Sequence, residues 1–251
     1  MVFSRSWGEH LRYLEELLNI LERESLYAKD SKCGFEMTEL LYLGHIINAE
    51  GVRVDPKRIW AIIDWPPPKN LTQLKGFFGL CGLYRCFVKG FSQQLAPLTD
   101  LTKKGEFRWS DKTQQCFDKS KQLISSCPIL AIPDFTRPFE LQCDALSEGI
   151  GAMLMHDKHP IAFKSRKLKG MEKSYNIYDK DMLAIMHALA KFKQYLVGSK
   201  FVVRRDHNSL KHFLNQGDHN DRQQKWVGKL QDYDFDIEYV KGKRNIVANA
   251  L

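Results

Sequence analysis

Several features that would mark particular protein classes are absent from this 251-residue sequence. No stretch approaches the roughly 18 consecutive apolar residues that a membrane-spanning helix needs. The first ten residues, MVFSRSWGEH, contain no apolar core of the kind that a secretory signal carries. No internal repeat or low-complexity tract is visible. These absences predict a globular intracellular protein, cytoplasmic or nuclear, that does not act with a membrane.

The cysteines show no metal-binding or disulfide pattern. None forms a Cys-x-x-Cys pair, and no cysteine and histidine set has zinc spacing. Most stand in apolar surroundings, which favours buried, reduced thiols. The six are Cys33, Cys81, Cys86, Cys116, Cys127 and Cys143.

Positive charge is in excess, with 38 Lys and Arg against 30 Asp and Glu, a net charge of +8. A basic balance favours a polyanionic partner, because Lys and Arg displace counterions from phosphates. Charge alone is equally compatible with a soluble surface that binds nothing in particular.

The pattern of the first half indicates helices around one hairpin. Leucines at helical spacing predict a helix over 7–28, and 40–54 reads as strand, glycine-containing turn and strand. Pro56 suits the first position of a short helix. Helical pattern then continues from Leu71 to about Leu101 with an interruption at Gly90, and Ser110 is a candidate N-cap for a helix over 110–126.

The second half alternates strands and helices. Strands are predicted over 139–144, 150–155, 160–165, 201–207 and 234–240. Helices are predicted over 175–196, from Asn208, over 222–231 and from about 245. This order predicts an α/β domain with a five-stranded sheet.

Four short segments of the second half each set one small polar or acidic residue beside a strand or at a helix start. They are CDALSEGIGAML, YDKDMLAIMHAL, VVRRDHNSL and KGKRNIVANAL, and the residues are Asp144, Asp181, Asp206 and Asn249. Their order and spacing resemble the ribonuclease H domain of gypsy-type LTR-retrotransposon polyproteins. The resemblance implies a ribonuclease H-like mixed sheet with flanking helices. It also implies two Mg²⁺ ions, with Mn²⁺ as a possible substitute, held at these four positions.

The first half resembles the same polyproteins. LYLGHIINAEGVRV looks like the primer-grip hairpin of the reverse transcriptase, and WPPP, LKGFFGL, YRCFVKGFS and PLTDL look like its thumb and connection. The resemblance implies a palm remnant over 1–55, a thumb-like region over 56–105, a connection over 106–137 and a C-terminally truncated ribonuclease H-like domain over 138–251. The Tyr-x-Asp-Asp motif of the family's polymerase is absent. We therefore expect no DNA synthesis by this chain without an upstream polymerase segment of the parent polyprotein.

Two of the four site positions depart from the family pattern, which reads Asp, Glu, Asp, Asp. Asp181 stands where the family has Glu, and Asn249 where it has Asp. Asp is shorter by one C–C bond, about 1.5 Å, and an amide oxygen carries no charge. The sequence therefore favours either a weakened Mg²⁺-dependent endonuclease for the RNA strand of RNA–DNA hybrids or a catalytically inactive hybrid-binding remnant.

Helical spacing supports Asp181 as the second site residue. Ile185, Leu189, Phe192 and Leu196 follow it at steps of three or four, so its carboxylate lies on the apolar face. Asp179 is the rival candidate, and an acid near a helix start is also favoured by the helix dipole alone. Asp144 taken by itself could be an ordinary acid at a strand end.

A basic run beside the third predicted strand is the candidate contact for nucleic acid. It comprises Lys164, Arg166, Lys167, Lys169 and Lys173, which suit the phosphates of a hybrid or simply a solvated face. His207, His212 and His219 are possible proton-transfer groups, but none matches the family's loop, and His207 reads better as structural.

Overall fold

The computed structural model describes residues 2–4, 6–103, 107–205, 213 and 220–239. The chain divides into two compact units, Met1–Thr38 and Glu39–Leu251. The first contains helix α1 (Trp7–Arg23), which Ser6 caps by accepting a hydrogen bond from the backbone N–H of Glu9, and a 3₁₀ turn, Asp30–Lys32. α1 ends five residues earlier than the sequence pattern predicts, with Ser25 in a positive-φ conformation just beyond it.

The second unit begins with a small antiparallel sheet. Its strands are β1 (Glu39–Tyr42), β2 (His45–Asn48) and β3 (Gly51–Val54), in that spatial order. We predicted two strands with one turn, and the structure has three with two. The missed turn is Leu43–Gly44, where both residues have positive φ (50° and 80°). Leucine rarely adopts that conformation, so the sequence did not signal a turn there.

A helical region follows the small sheet. Pro56 opens α2 as predicted, and Ser110 caps α6 through a capping box with Thr113. The predicted long helix from Leu71 is instead three separate helices. The region comprises α2 (Pro56–Ile63), α3 (Leu71–Leu83), α4 (Phe91–Gln94), α5 (Ala96–Asp100) and α6 (Asp111–Ser125).

The predicted α/β fold with a five-stranded mixed sheet is confirmed. The spatial order is β6-β5-β4-β7-β8. β4 pairs with β5, and β5 with β6, in antiparallel fashion; β4 pairs with β7, and β7 with β8, in parallel. The strands are β4 (Phe139–Ala145), β5 (Gly149–His156), β6 (His159–Lys167), β7 (Phe201–Arg205) and β8 (Phe235–Tyr239).

Helices cover one face of this sheet and the helical region covers the other. The predicted helix over 175–196 breaks at Phe192 into α7 (Ile177–Lys191) and α8 (Lys193–Leu196), and α9 is Asp221–Leu230. Leu141 and Leu154 pack with Ile185 and Leu189 of α7 in one core. Met153, Met155 and Phe163 on the opposite face join a second core with Phe77 and Phe117 of the helical region. The sheet is therefore buried on both sides.

The thiol environments agree with the expectation except at one position. All six cysteines are free; Cys33 is exposed, whereas the other five are buried or half-buried. Burial raises the pKa of Cys81 and of Cys127 to about 12. No helix among the described residues is both long and apolar enough to cross a membrane. The division at residues 55, 105 and 137 stays a prediction.

Candidate active site

Asp144 lies near the carboxyl end of β4. Strand alternation sets it on the face opposite to Leu141 and Cys143, which belong to the α7 core. In register it pairs with Gly151 of β5, and Gly151 pairs with Ser165 of β6. A Cβ built on Gly151 would meet nothing within 4 Å, so there is open space beside the Asp144 side of the sheet.

Asp181 lies in the second turn of α7, at the same end of the sheet. The turn after β4 is joined to the segment before α7, because Leu168 donates its backbone N–H to the Glu148 carbonyl at 2.9 Å and Lys173 pairs with Glu148. The Asp181 side is buried, with the residue only 4% exposed. The structure thus brings the first two predicted positions to one end of the sheet, on elements packed against each other.

Asp179, the rival to Asp181, has a structural role. Its carboxylate accepts hydrogen bonds from Arg222 of α9 at 2.6 Å and from Gln223 at 3.2 Å. The Arg222 guanidinium lies over the Tyr175 ring, 4.0 Å from its centroid. These contacts join α7 to α9, so the position of Asp179 is explained without a metal.

We expect Asp179→Asn to lower the free energy of unfolding by about 2 kcal/mol, because a hydrogen bond to a charged group contributes roughly 1.5–3 kcal/mol. The loss would also leave Arg222, whose Nε is already buried without a hydrogen-bond partner among the described residues, with less compensation. Urea denaturation measures the change, with the exposed Asp232→Asn as control. Equal stability of the two variants would contradict the assignment.

Lys89, just before α4, is a site neighbour that sequence reasoning missed. Its Nζ is buried and has no hydrogen-bond partner in the described part of the chain. Burial lowers the pKa of Lys89, and the nearby Asp144 carboxylate opposes that shift. The segment is fixed against β6 because Ser92 donates its N–H to Ser165 Oγ at 2.9 Å and its hydroxyl to the Ser165 carbonyl at 2.8 Å. The helical region therefore delivers a cation to the Asp144 side of the sheet.

The remaining predicted site positions, Asp206 and Asn249, lie outside the described residues, as do His207, His212 and His219. Among the residues that are described, no group of three or more His, Cys, Asp or Glu side chains is arranged to hold a metal. The structure therefore supplies two carboxylates of the predicted four.

Most of the predicted basic run is engaged in ion pairs. Arg166 binds both carboxylate oxygens of Glu172, at 2.6 and 2.9 Å. Lys167 pairs with Asp100 at 3.0 Å, and Lys173 pairs with Glu148. Lys164 is half-buried, and Lys169 is exposed. Its role in nucleic-acid binding stays a prediction, and the acids that pair with it reduce its free positive charge.

Comparison with known proteins identifies the lineage. Residues 134–233 match the family described as the RNase H-like domain found in reverse transcriptase. The whole chain is 35% identical over 253 residues to the retrovirus-related Pol polyprotein from transposon 297 of Drosophila melanogaster. It is 30% identical over 265 residues to that from transposon gypsy of the same organism. The chain spans 24% and 26% of the length of these two relatives.

Solved structures show the same fold. The foamy viral protease-reverse transcriptase in complex with RNA/DNA hybrid superimposes with a TM-score of 0.82 at 21% identity, covering 97% of this chain and 35% of that one. The form in complex with double-stranded DNA, named dRH, also gives 0.82, at 20% identity, covering 95% and 44%. The chain therefore belongs to the Pol polyproteins of gypsy-type LTR retrotransposons, and its five-stranded sheet is part of an RNase H-like domain.

Proposed function

We propose that this chain hydrolyses the RNA strand of RNA–DNA hybrids in a Mg²⁺-dependent reaction, at a reduced rate. The observation that supports this most is the buried position of Asp181 on α7, at the sheet end where Asp144 also lies. Holding a carboxylate there has a cost in solvation, and coordination of a cation is a role that accounts for it. The relatives are Pol polyproteins with an RNase H-like domain, which favours the same chemistry.

The donor set suits magnesium, because Mg²⁺ prefers hard oxygen ligands such as carboxylates. Two bound Mg²⁺ ions would supply an activated water and stabilise charge at the scissile phosphate. Asp144 would hold the ions from the end of β4 and Asp181 from α7, with Asp206 and Asn249 as the proposed remaining ligands. The shorter Asp181 and the neutral Asn249 weaken this set, which is the reason for proposing a reduced rate.

A second candidate function is hybrid binding without cleavage. The presence of Lys89 beside Asp144 favours it, because an ammonium group there supplies positive charge that a cation would otherwise provide. Asn249 favours it as well, because it removes one negative charge from the predicted site.

A cleavage assay separates the two functions. An RNA–DNA hybrid labelled on the RNA strand is incubated with the protein in Mg²⁺, in Mn²⁺ and in EDTA, beside duplex DNA and duplex RNA of the same sequence. The proposed function predicts RNA cleavage in the hybrid alone and only with metal. Binding of the hybrid without cleavage in either metal would favour the second function.

Binding of the hybrid is expected to depend strongly on salt under either function. The net charge of +8 supplies cations that displace condensed counterions. With three or four phosphate contacts, the Kd should rise on the order of a hundredfold between 50 and 200 mM salt. Fluorescence anisotropy in EDTA measures this without cleavage. A Kd that does not change with salt would refute phosphate contacts as the main source of affinity.

Removing Lys89 should strengthen cation binding. Lys89→Met keeps the buried stem but removes the charge near Asp144, so repulsion of a divalent ion falls. We expect the Kd for Mn²⁺, followed by electron paramagnetic resonance without nucleic acid, to fall about tenfold. Lys57→Met, on exposed α2, is the matched control. If both variants bind Mn²⁺ as the unmodified chain does, Lys89 does not act on the site.

A further inference from the structure

β6 and α7 face each other with basic side chains at the sheet edge. Lys164 of β6 pairs in register with Ala152, and Ala152 with Cys143. Both partners belong to the core shared with α7, so Lys164 points to the α7 side. His187 and Lys191 on α7 are four residues apart and share one face of the helix.

A third element reaches the same edge. The backbone N–H of Phe163 donates to the Cys86 carbonyl at 2.8 Å, which holds the segment after α3 along the outer edge of β6. Arg85 is exposed and precedes Cys86 directly. Three separate elements thus converge, and we call Arg85, Lys164 and Lys191 the edge cluster.

The charges of the edge cluster influence one another. Burial lowers the pKa of Lys164, and Arg85 and Lys191 lower it further. Burial, followed by Arg166 and Lys191, lowers the pKa of His187 to about 4, so this side chain is neutral at pH 7. Glu172, the acid nearest to His187, is engaged with Arg166. Within the part of the chain that the structure describes, no carboxylate forms an ion pair with Arg85, Lys164 or Lys191.

Unpaired like charges that converge repel one another, and an anionic ligand relieves that repulsion. We propose that the edge cluster binds the phosphodiester backbone of a nucleic acid and that this binding does not require metal. Arg85 can hold two phosphate oxygens at once, whereas the two lysines act as point charges. The inference deepens the proposed function by assigning its nucleic-acid contact to a surface formed jointly by the helical region and the RNase H-like sheet.

The test compares two triple variants with the same change in net charge. The first is Arg85→Gln, Lys164→Met and Lys191→Gln. The control is Lys57→Gln, Lys112→Gln and Lys229→Gln, three exposed lysines on α2, α6 and α9. Binding to an RNA–DNA hybrid and to duplex DNA is measured in EDTA by fluorescence anisotropy at several salt concentrations. Pyrophosphate serves as a competitor, and the melting temperature of each variant is recorded.

We expect the edge-cluster variant to bind the hybrid on the order of a hundredfold more weakly and its log Kd against log salt slope to fall by about three, near one per lost phosphate contact. The control should change far less. Equal losses in both variants with unchanged melting temperatures would overturn the proposal. So would inhibition by pyrophosphate far stronger than binding to any duplex, which would indicate a small-anion site. If the chain never cleaves hybrid but the expected difference persists, the edge cluster stands and only the proposed hydrolysis fails.

Discussion

Asp144→Asn is expected to abolish Mg²⁺-dependent cleavage of the hybrid. Asp144 is the proposed ligand at the end of β4, and the change removes its charge while keeping its size. Loss of partners that merely orient metal ligands typically costs 10–100-fold, so loss of a ligand should cost at least about a hundredfold. The measurement is the single-turnover rate at saturating hybrid, together with Mn²⁺ binding in its absence.

Gln142→Glu provides the matched control on the same face of β4, two residues earlier. It adds an acid away from the strand end, so the cleavage rate should change little. Hybrid affinity in EDTA should not fall in Asp144→Asn, because no positive charge is lost. If the Asn variant cleaves as fast as the unmodified chain, the cleavage arises elsewhere, and the role assigned to Asp144 is wrong.

Asp181→Glu combined with Asn249→Asp is expected to raise cleavage in Mg²⁺, and by more than the two single changes together. The longer acid at 181 recovers about 1.5 Å of reach toward the cation. The acid at 249 restores the fourth negative charge. Both changes affect one proposed cation site, so their free energies should be coupled, by about 0.5–3 kcal/mol. Cleavage rates of the four proteins form the double-mutant cycle.

Asp179→Glu is the control for the longer acid, because its carboxylate serves Arg222 and not the proposed site. It should disturb stability without raising cleavage. If the double variant cleaves no faster than the unmodified chain and Asp144→Asn also has no effect, the metal-site interpretation of all four positions is wrong. Strictly additive effects would instead show that positions 181 and 249 act independently.

Local patterns explain why much of the fold could be predicted. The alternation of Phe139, Leu141 and Cys143 with polar residues matches β4, because strand side chains point to opposite faces. Ser110 and Pro56 mark helix starts through capping and a preset φ, which are properties of neighbouring residues. The errors occur where conformation opposes residue preference, as at Leu43 with its positive φ, or where a helix stops without a signal, as at Phe192.

The candidate site divides in the same way. The sequence by itself determined the lineage, the identity of the four site positions and the departures at Asp181 and Asn249. Helical spacing also placed Asp181 on the apolar face, and its burial agrees. Only the tertiary structure separated Asp179 from Asp181, because the partner of Asp179 is Arg222, 43 residues away.

Contacts between distant segments decided the electrostatics. Arg166 and Lys173 are part of one basic run in the sequence, yet folding brings Glu172 and Glu148 against them. Lys89 and Arg85 carry no local signal, and they reach the sheet only because the segment after α3 docks on β6. Charge interactions depend on distance in space and on burial, neither of which is encoded in local spacing. The sequence thus determined which groups are present, and the packing of the helical region on the sheet decided which of them meet.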